Sequence, residues 1–418
     1  MQLKELTNQE YNNFVLNFPT KAIYQTKEYA FIMNNQGYDS VFLGLINDGL
    51  VIAASLILIK KESGFKYAYA PRGFLINYED FYLLKEFTIQ IKEYLNKVGV
   101  IAVKINPLII KNIYNFEDQT LLSNPKYDLI FEALQHNGYY HLGYNNFFEA
   151  LKPRFEAIIQ IDKDINTLFK NIKKTYRTKI RSAINNGITI YKGTQEELKY
   201  LYNFTNKKYP RNLEYFNDCY KYFNNNLDYY YTKLNTNTYL KFIQNKLNYY
   251  ESKTNELNEE IIKKAQQNPK NLIDKKINMD KYLNKYQNEL IEATKLLRKN
   301  QTGIITCGCI IVKNNTEVTI LIDGDDSNYR RFNSKHLLIW NLIETYQKQG
   351  FKTFNLGGLS NMIVDTNKYF GLNEFKLNFG AKMYEYTGDF ELICHKRNYN
   401  LYRNYVPLKN LIKNKLTK

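Results

Sequence analysis

The sequence is poor in the residues that build metal sites and disulfides. Its 418 residues include only four histidines and four cysteines, which are Cys219, Cys307, Cys309 and Cys394. No cysteine pair has the Cys-x-x-Cys spacing and the histidines form no cluster, which argues against a structural zinc site or a disulfide framework. We therefore expect no metal and a protein of the reducing cytoplasm.

Long apolar runs are also missing. The first ten residues are polar and lack the apolar stretch of a secretory signal. The longest apolar run, Leu50 to Ile59, is about half as long as a membrane span needs to be, and Lys60 and Lys61 follow it. We interpret this run as a buried strand and expect a cytoplasmic protein.

Acidic residues are in deficit, with 41 Asp and Glu against 58 Lys and Arg, so the net charge is +17. A positive field attracts polyanions such as nucleic acid, phosphorylated precursors or an anionic membrane face. Charge does not choose among these partners, and a generic basic protein is an equal alternative on this ground alone. The length indicates two or three domains, and a hydrophobic content of 44% is enough to build their cores.

The patterns that are present alternate between strands and helices, as in an α/β fold. Asn47-Asp48-Gly49 predicts the turn of a β-hairpin. Apolar residues at helical spacing predict a helix over Glu79–Val98, and Val100–Ile105 predicts a strand. A second unit opens at Asp164, which is expected to cap a helix that runs to about Ile184.

Residues 238–300 differ in kind from the rest of the chain. Apolar residues recur there at steps of three and four on both sides of Asn268-Pro269-Lys270-Asn271, where proline breaks the helix. Two such helices joined by a tight turn predict an antiparallel coiled-coil hairpin. Because strands resume at Ile304, the hairpin is an insertion within the second domain. A modest basic excess favours RNA contact, and a structural or dimerising arm is equally plausible.

Three segments combine basic residues with turns or aromatic residues. In Tyr69-Ala70-Pro71-Arg72-Gly73-Phe74, the arginine offers a fork for a carboxylate or phosphate, although a turn with a solvated Arg would look the same. Lys174 to Ala183 forms a helix with a basic face, which suits a polyphosphate partner unless it is only a solvated face. Thr205 to Phe216 contains Lys207-Lys208 and then Arg211-x-x-x-Tyr215-Phe216.

Two glycine-containing segments lie nearer the C-terminus. Phe354-Asn355-Leu356-Gly357-Gly358 predicts a strand that ends in a glycine pair, where the backbone approaches a ligand or another strand. The longer segment Gly371-Leu372-Asn373-Glu374-Phe375-Lys376-Leu377-Asn378-Phe379-Gly380-Ala381 is followed by Glu385-Tyr386-x-Gly388.

In this order, the five segments resemble the signatures of the FemABX family of tRNA-dependent peptidoglycan-branching aminoacyltransferases. The resemblance implies an α/β fold of two GNAT-like (acetyltransferase-like) halves with an inserted antiparallel coiled-coil hairpin. It implies a first half at residues 1–153, a second half at 154–237 and 301–418, and an arm at 238–300. It implies no cofactor.

The resemblance also implies roles for individual residues. Lys376 would be catalytic, with Phe375 beside it. The substrate-binding residues would be Arg211, Tyr215, Arg72 and Tyr69. The basic helix would contact tRNA through Lys173, Lys174, Arg177 and Arg181. The implied partners are aminoacyl-tRNA and a muramyl-peptide cell-wall precursor, whose lipid-linked form would bring the protein to the inner membrane face.

Two positions depart from the family's pattern. Asn106 stands where several members carry Asp, and Asn cannot take a proton at neutral pH, so no general base is assigned there. Met33 lies near the place of a precursor-binding Lys in some members, and Met cannot serve as a cation.

The expected chemistry is simple because the ester of aminoacyl-tRNA is already activated. An amine of the stem peptide or bridge would attack the carbonyl directly, and Lys376 would stabilise the oxyanion. One alternative is a non-enzymatic basic protein that docks RNA or a partner. Another is acyl transfer from acyl-CoA on the GNAT fold, which expects a phosphate-cradling loop, whereas Asp323-Gly324-Asp325-Asp326 is acidic.

Overall fold

A computed structural model describes residues 1–19, 22–116, 118–206, 211–267, 269–361 and 369–405. The strands, in chain order, are β1 (Gln2–Glu5), β2 (Asp39–Asn47), β3 (Leu50–Glu62), β4 (Phe65–Ala70), β5 (Val100–Ile105), β6 (Ile110–Asn115), β7 (Thr120–Ser123), β8 (Tyr139–His141), β9 (Phe155–Gln160), β10 (Ile188–Lys192), β11 (Leu227–Leu234), β12 (Ile304–Asn314), β13 (Glu317–Asp325), β14 (Thr353–Leu359), β15 (Lys382–Tyr386) and β16 (Phe390–Ile393). The helices are α1 (Asn8–Asn17), α2 (Lys27–Asn35), α3 (Phe81–Lys97), α4 (Tyr127–His136), α5 (Ile165–Asn171), α6 (Lys174–Asn185), α7 (Leu198–Thr205), α8 (Leu213–Phe223), α9 (Thr236–Lys263), α10 (Lys270–Lys299), α11 (Ser334–Lys348) and α12 (Phe370–Leu377).

The strands form two mixed sheets. The first has the order β1-β2-β3-β4-β5-β16-β8 and the second has the order β10-β11-β12-β13-β14-β9-β15-β6-β7. Each sheet contains one parallel pair, β4 with β5 and β13 with β14, and a helix connects the two strands of each pair. The chain therefore builds the same strand–helix–strand plan twice, in two GNAT-like halves.

The two halves exchange strands. β6 and β7 belong to the first 150 residues, but β6 pairs with β15 of the second sheet and β7 pairs with β6 at its edge. In return, β16 from near the C-terminus pairs with β5 and β8 in the first sheet. The domain boundaries at 153 and 301 stay a prediction. Each sheet contains strands from both sides of these positions, so neither sheet corresponds to one continuous stretch of chain.

Local patterns position the elements around the cores. Asp80 accepts a hydrogen bond from the backbone of Leu83 and so caps α3. The helix buries Leu84, Phe87 and Ile91 against the first sheet, as their spacing predicts. A third cluster of buried side chains joins α2 of the first half to α8 of the second. The halves therefore pack against each other through this shared apolar cluster.

The predicted basic helix is two helices. Asp164 does cap the first, α5, by accepting from the backbone of Thr167. The helix then ends at Asn171, and α6 begins at Lys174. Between the two helices, the N–H of Lys173 donates to the carbonyl of Asn378 at 3.0 Å and not to a carbonyl of α5. This bond connects the chain to the residue that follows α12 and interrupts the helix.

The inserted arm is a pair of long helices, α9 and α10. Tyr250 stacks on Tyr282 and Tyr286 at ring-centroid distances of 5.1 and 5.3 Å. At the base, the hydroxyl of Thr236 donates to the carbonyl of Asn300 at 2.8 Å. Contacts between residues that approach the turn from opposite directions confirm an antiparallel helical hairpin, and its supercoiling stays a prediction.

The root of the arm belongs to the core of the second half. Tyr239 and Ile243 of α9 and Ala293 of α10 are buried in that core. The predicted limits of 238 and 300 thus include side chains that the second half needs. No helix among the described residues is long and apolar enough to cross a membrane.

Candidate active site

A cleft of about 340 Å³ lies where the first half meets the open face of the second sheet. Its floor is formed by side chains of β9, β13 and β14, among them Glu156, Glu317 and Asn355. Tyr24 and Arg72 of the first half border it from the other side. Because side chains alternate along a strand, the neighbouring residues of the same strands point away and pack in the core with α11.

One end of the cleft is made of glycine backbone. β13 and β14 pair in parallel only over Glu317–Thr319 and Thr353–Asn355, and the strands then separate. Gly357 has a φ of +81°, which residues with a side chain rarely adopt. A Cβ on Gly358 would lie 2.6 Å from the ring of Pro153. Glycine is needed at both positions, and their backbone lines the cleft.

Lys376 reaches this glycine pair from α12. Its ammonium donates a hydrogen bond to the carbonyl of Gly358 at 2.8 Å. Burial lowers the pKa of Lys376 to about 8, an effect that the charges of Asp323 and Glu156 oppose and that of Lys335 reinforces. The group is therefore mostly cationic at neutral pH and loses its charge just above it.

Phe375, next to Lys376, has different surroundings. Its ring lies in an aromatic cluster, with centroid distances of 5.2 Å to His336, 5.4 Å to Phe379 and 6.0 Å to Tyr176. The ammonium of Lys335 lies 5.0 Å from the centroid of the same ring. Phe375 thus anchors α12 to α6 and α11, and fixes the position of the helix that carries Lys376.

Arg72 links the two halves. Its guanidinium forms a 2.5 Å ion pair with Glu156 and donates to the carbonyl of Pro153 at 2.8 Å. Glu156 also accepts from the amide of Asn355 at 2.8 Å. Arg72 is 3% exposed. Its predicted role in substrate binding therefore requires that it contact the substrate while it stays bonded to Glu156 and Pro153.

Asn106 braces the loop that carries Arg72. Its side-chain oxygen accepts from the backbone N–H of Arg72 at 2.7 Å, and its amide donates to the hydroxyl of Tyr69 at 2.9 Å. Asn106 therefore connects the ends of β4 and β5. Its role in the fold is structural, at a position to which the sequence assigned no general base. Tyr69 itself lines a second cavity, of about 320 Å³, on the first half.

Arg211 and Tyr215 lie together at the start of α8. The guanidinium of Arg211 lies over the ring of Tyr215, 4.8 Å from its centroid. Asn212 caps the helix by accepting from the backbone of Tyr215. Burial and the charge of Glu156 raise the pKa of Tyr24 to about 12, and the positive charges of Arg72 and Arg211 oppose this shift.

The basic face of α6 begins beside the helix of Lys376. Lys173 pairs with Glu374 of α12 at 3.2 Å. Lys174 and Arg181 are exposed and Arg177 is half-buried. The structure therefore places Lys174, Arg177 and Arg181 on α6 and Lys173 at the residue before it, next to α12.

Comparison with known proteins identifies the family. The sequence model of the FemAB family matches residues 6–405. The chain belongs to the FemAB family. Aminoacyltransferase FemA of Staphylococcus epidermidis is 25% identical over 420 residues, which cover 98% of this chain and all of that one. Aminoacyltransferase FemA of Staphylococcus aureus is 23% identical over 424 residues, with 99% and 100% covered.

A solved structure also matches. The crystal structure of FemX superimposes with a TM-score of 0.72 and 21% identity, covering 96% of this chain and 99% of that one. The similarity of fold extends over both halves.

Sequence reasoning missed several polar residues of this FemAB cleft. Glu156 and Glu317 line it, and burial, with the charge of Glu156, raises the pKa of Glu317 to about 7. Lys152 lies beside the ring of Tyr24. The two glutamates alternate with apolar residues along β9 and β13, and this pattern could have indicated that they face a cleft. No local sequence pattern distinguishes Lys152.

Proposed function

We propose that this aminoacyltransferase moves an amino acid from aminoacyl-tRNA to an amine of a peptidoglycan precursor, on the stem peptide or the growing bridge. The observation that carries the proposal is a half-buried lysine at the glycine-lined end of an interdomain cleft, in a chain that matches Aminoacyltransferase FemA over its whole length. No nucleophilic side chain of the enzyme is required, because the ester already contains an activated acyl group that the substrate amine can attack directly.

The residues support a direct aminolysis. The deprotonated amine attacks the ester carbonyl, a C–N bond forms, the C–O bond to the ribose breaks, and the ribose hydroxyl leaves with a proton. Negative charge grows on the carbonyl oxygen in the transition state. The ammonium of Lys376 has three N–H groups. One donates a hydrogen bond to the carbonyl of Gly358, so two can donate to the developing oxyanion. The bond to Gly358 holds the ammonium in place before the reaction.

The charge distribution supports separate entry routes for the two substrates. The exposed basic face of α6 leads to α12 and would guide the acceptor end of tRNA to Lys376. Arg211, stacked on Tyr215, would bind an anionic group of the precursor from the other side of the cleft. A lipid-linked precursor would bring this basic protein to the inner face of the membrane.

Transfer from acyl-CoA fits this site less well. The segment that would face a pyrophosphate carries Asp323, which pairs with Lys335, and Asp325, which pairs with Arg330. Asp326 accepts from the backbone of Asn328. These carboxylates are part of the local structure and would repel a phosphate.

The direct test is a transfer assay. Purified protein is incubated with a muramyl-pentapeptide precursor and a mixture of aminoacyl-tRNAs, and the product is weighed by mass spectrometry. We expect the precursor mass to increase by one or more amino-acid residues, with none in the presence of deacylated tRNA plus free amino acids. An unchanged precursor with every aminoacyl-tRNA would refute the proposal, and a gain of an acyl group from acyl-CoA would replace it.

A further inference from the structure

Aromatic side chains gather at the end of the cleft where Lys376 is held. The rings of Phe148 and Tyr369 meet edge to face, with their centroids 4.9 Å apart and an interplanar angle of 86°. The ring of Phe147 lies 5.9 Å from that of Tyr369. Phe147 and Phe148 belong to the loop that joins the two halves, and Tyr369 directly precedes α12. We call these three rings the aromatic patch.

The aromatic patch and the ammonium of Lys376 contact the same residue, Gly358. The ammonium donates to the carbonyl of Gly358 at 2.8 Å. A Cβ on Gly358 would lie 3.0 Å from Cε1 of Phe148, so the ring of Phe148 packs directly on this glycine. Any ligand group that is bound at the ammonium therefore has Phe148 as a close neighbour.

Hydrogen bonds fix the segments that carry the aromatic patch. The carbonyl of Asn146 accepts from the backbone N–H of Asn361 at 2.6 Å, and the side-chain amides of these two residues are bonded at 3.0 Å. The amide of Asn373 in α12 donates to the carbonyl of Ser360 at 2.9 Å. Both segments are thus attached to the residues that follow β14. Because the patch is held before a ligand arrives, little conformational entropy is lost when it binds one.

Part of this region is open to solvent. Phe148 is 38% exposed, and Phe370, the residue after Tyr369, is 55% exposed. An exposed ring costs free energy in water, which the stacking of a flat ligand offsets. Cations lie at the start of α6, where Lys173 pairs with Glu374 of α12 at 3.2 Å. Exposed rings beside cations are the combination that binds single-stranded nucleic acid.

We propose that the aromatic patch binds the terminal base of aminoacyl-tRNA by stacking, mainly on the ring of Phe148. This inference rests on the proposed function, in which the ester of the terminal ribose is held at Lys376. The base and the ester are substituents of one ribose, so a base whose ester lies at the ammonium reaches the neighbourhood of Gly358. The stacked base would fix the ribose and thus aim the ester carbonyl at Lys376.

The aromatic patch and the basic face of α6 would bind different parts of the tRNA. The cations bind phosphates and bring the tRNA to the site, with an affinity that depends on salt. The patch binds one base and orients one bond. Removal of its central ring should therefore lower kcat/KM for aminoacyl-tRNA while the salt dependence of tRNA binding stays the same.

The test combines removal of the ring with removal of the base. Two full-length tRNAs carry the amino acid that the transfer assay identifies. One ends in adenosine, and the other ends in 1-deoxyribose, which has the ester but no base. Wild type should favour the adenosine donor in kcat/KM by about 5- to 150-fold, the usual range for one base on an aromatic ring. Phe148→Ala should abolish this preference by slowing only the adenosine donor, because both donors share the same amino acid and phosphates.

Further variants separate the ring from its bulk. Phe148→Tyr keeps a ring and should keep the preference, whereas Phe148→Leu keeps apolar volume alone and should lose it. Phe81→Ala removes an identical side chain of similar exposure, 44%, from α3 and should behave as wild type. Thermal denaturation of each variant checks folding, and Phe148→Leu takes the place of Phe148→Ala if the latter does not fold.

A spectroscopic measurement observes the stack itself. The terminal adenine is replaced by the fluorescent base 2-aminopurine, and the ester is replaced by an amide that does not react. Saturating wild-type protein should quench the fluorescence, as stacking does, and Phe148→Leu should not. Unchanged quenching in Phe148→Leu would place the base elsewhere and overturn the inference.

The kinetic comparison has two further outcomes that would overturn the inference and leave the proposed function intact. An equal loss of kcat/KM with both donors in the Phe148 variants would mean that the ring only supports Gly358 and Lys376. Equal use of both donors by wild type would mean that no base is bound. A wild-type protein that transfers from neither tRNA would remove the proposed function itself.

Discussion

The charge of Lys376 should control the alkaline limit of the reaction. With a pKa of about 8, about nine-tenths of the side chain is protonated at pH 7 and about one-tenth at pH 9. The ammonium is the active form, since it donates to the oxyanion. The single-turnover rate, divided by the deprotonated fraction of the acceptor amine, should therefore fall about tenfold per pH unit well above pH 8. On the acid side, the rate should rise with pH because the acceptor amine must lose its proton.

Two substitutions of Lys376 separate charge from structure. Lys376→Met removes the donor and should lower the rate by about 10²- to 10³-fold, the usual loss for one oxyanion contact. The fold should persist, because the change leaves only the Gly358 carbonyl without its bond. Lys376→Arg keeps a charge that does not titrate, so any remaining activity should lose the alkaline decline. Lys348→Met, exposed in the last turn of α11, is the control and should behave as wild type.

The assay is rapid-quench transfer of labelled amino acid from aminoacyl-tRNA, measured from pH 6 to 9.5 and corrected for spontaneous ester hydrolysis. Near-normal turnover in Lys376→Met would remove this residue from the mechanism. An alkaline decline in Lys376→Arg identical to that of wild type would show that another group titrates, even if the rate at pH 7 fell as expected.

Three further changes test other parts of the molecule. Arg211→Ala should raise the KM for the precursor more than that for aminoacyl-tRNA in steady-state kinetics, and equal effects would count against its place in the precursor site. Replacing residues 247–289 with a Gly/Ser linker leaves the buried root of the arm in place, so the core should stay folded. If the arm grips tRNA, binding will weaken and its salt dependence will become shallower, whereas unchanged values mean a scaffold or dimer contact. Glu156→Gln should lower the free energy of unfolding by about 3–5 kcal/mol in urea titrations, because it leaves Arg72 buried without its counter-charge, and a loss below about 1 kcal/mol would show that the pair is replaceable.

The sequence alone determined the elements whose signals are local. The turn at Asp48 and Gly49 has positive φ at both residues, as the Asn-Asp-Gly pattern predicts for a two-residue hairpin loop. The spacing of apolar residues gave α3, and the proline at position 269 separated the two helices of the arm. The predicted strand that ends in the glycine pair is β14. Each of these signals acts over a few residues, so it survives without knowledge of distant contacts.

Only the tertiary structure decided which distant segments meet. The exchange of β6 and β16 between the sheets depends on pairing across more than 250 residues. The pattern of side chains along a strand does not specify which distant strand it pairs with. The break between α5 and α6 follows from a bond to the carbonyl of Asn378, and it overrides a sequence with good helical spacing. Lys152 stands in a loop without any motif. Its lowered pKa results from burial and from charges that only folding brings near, and its contact with the ring of Tyr24 also forms only in the folded chain. Burial and electrostatics depend on three-dimensional neighbours, which is why the chemistry of the cleft appears only in the folded chain.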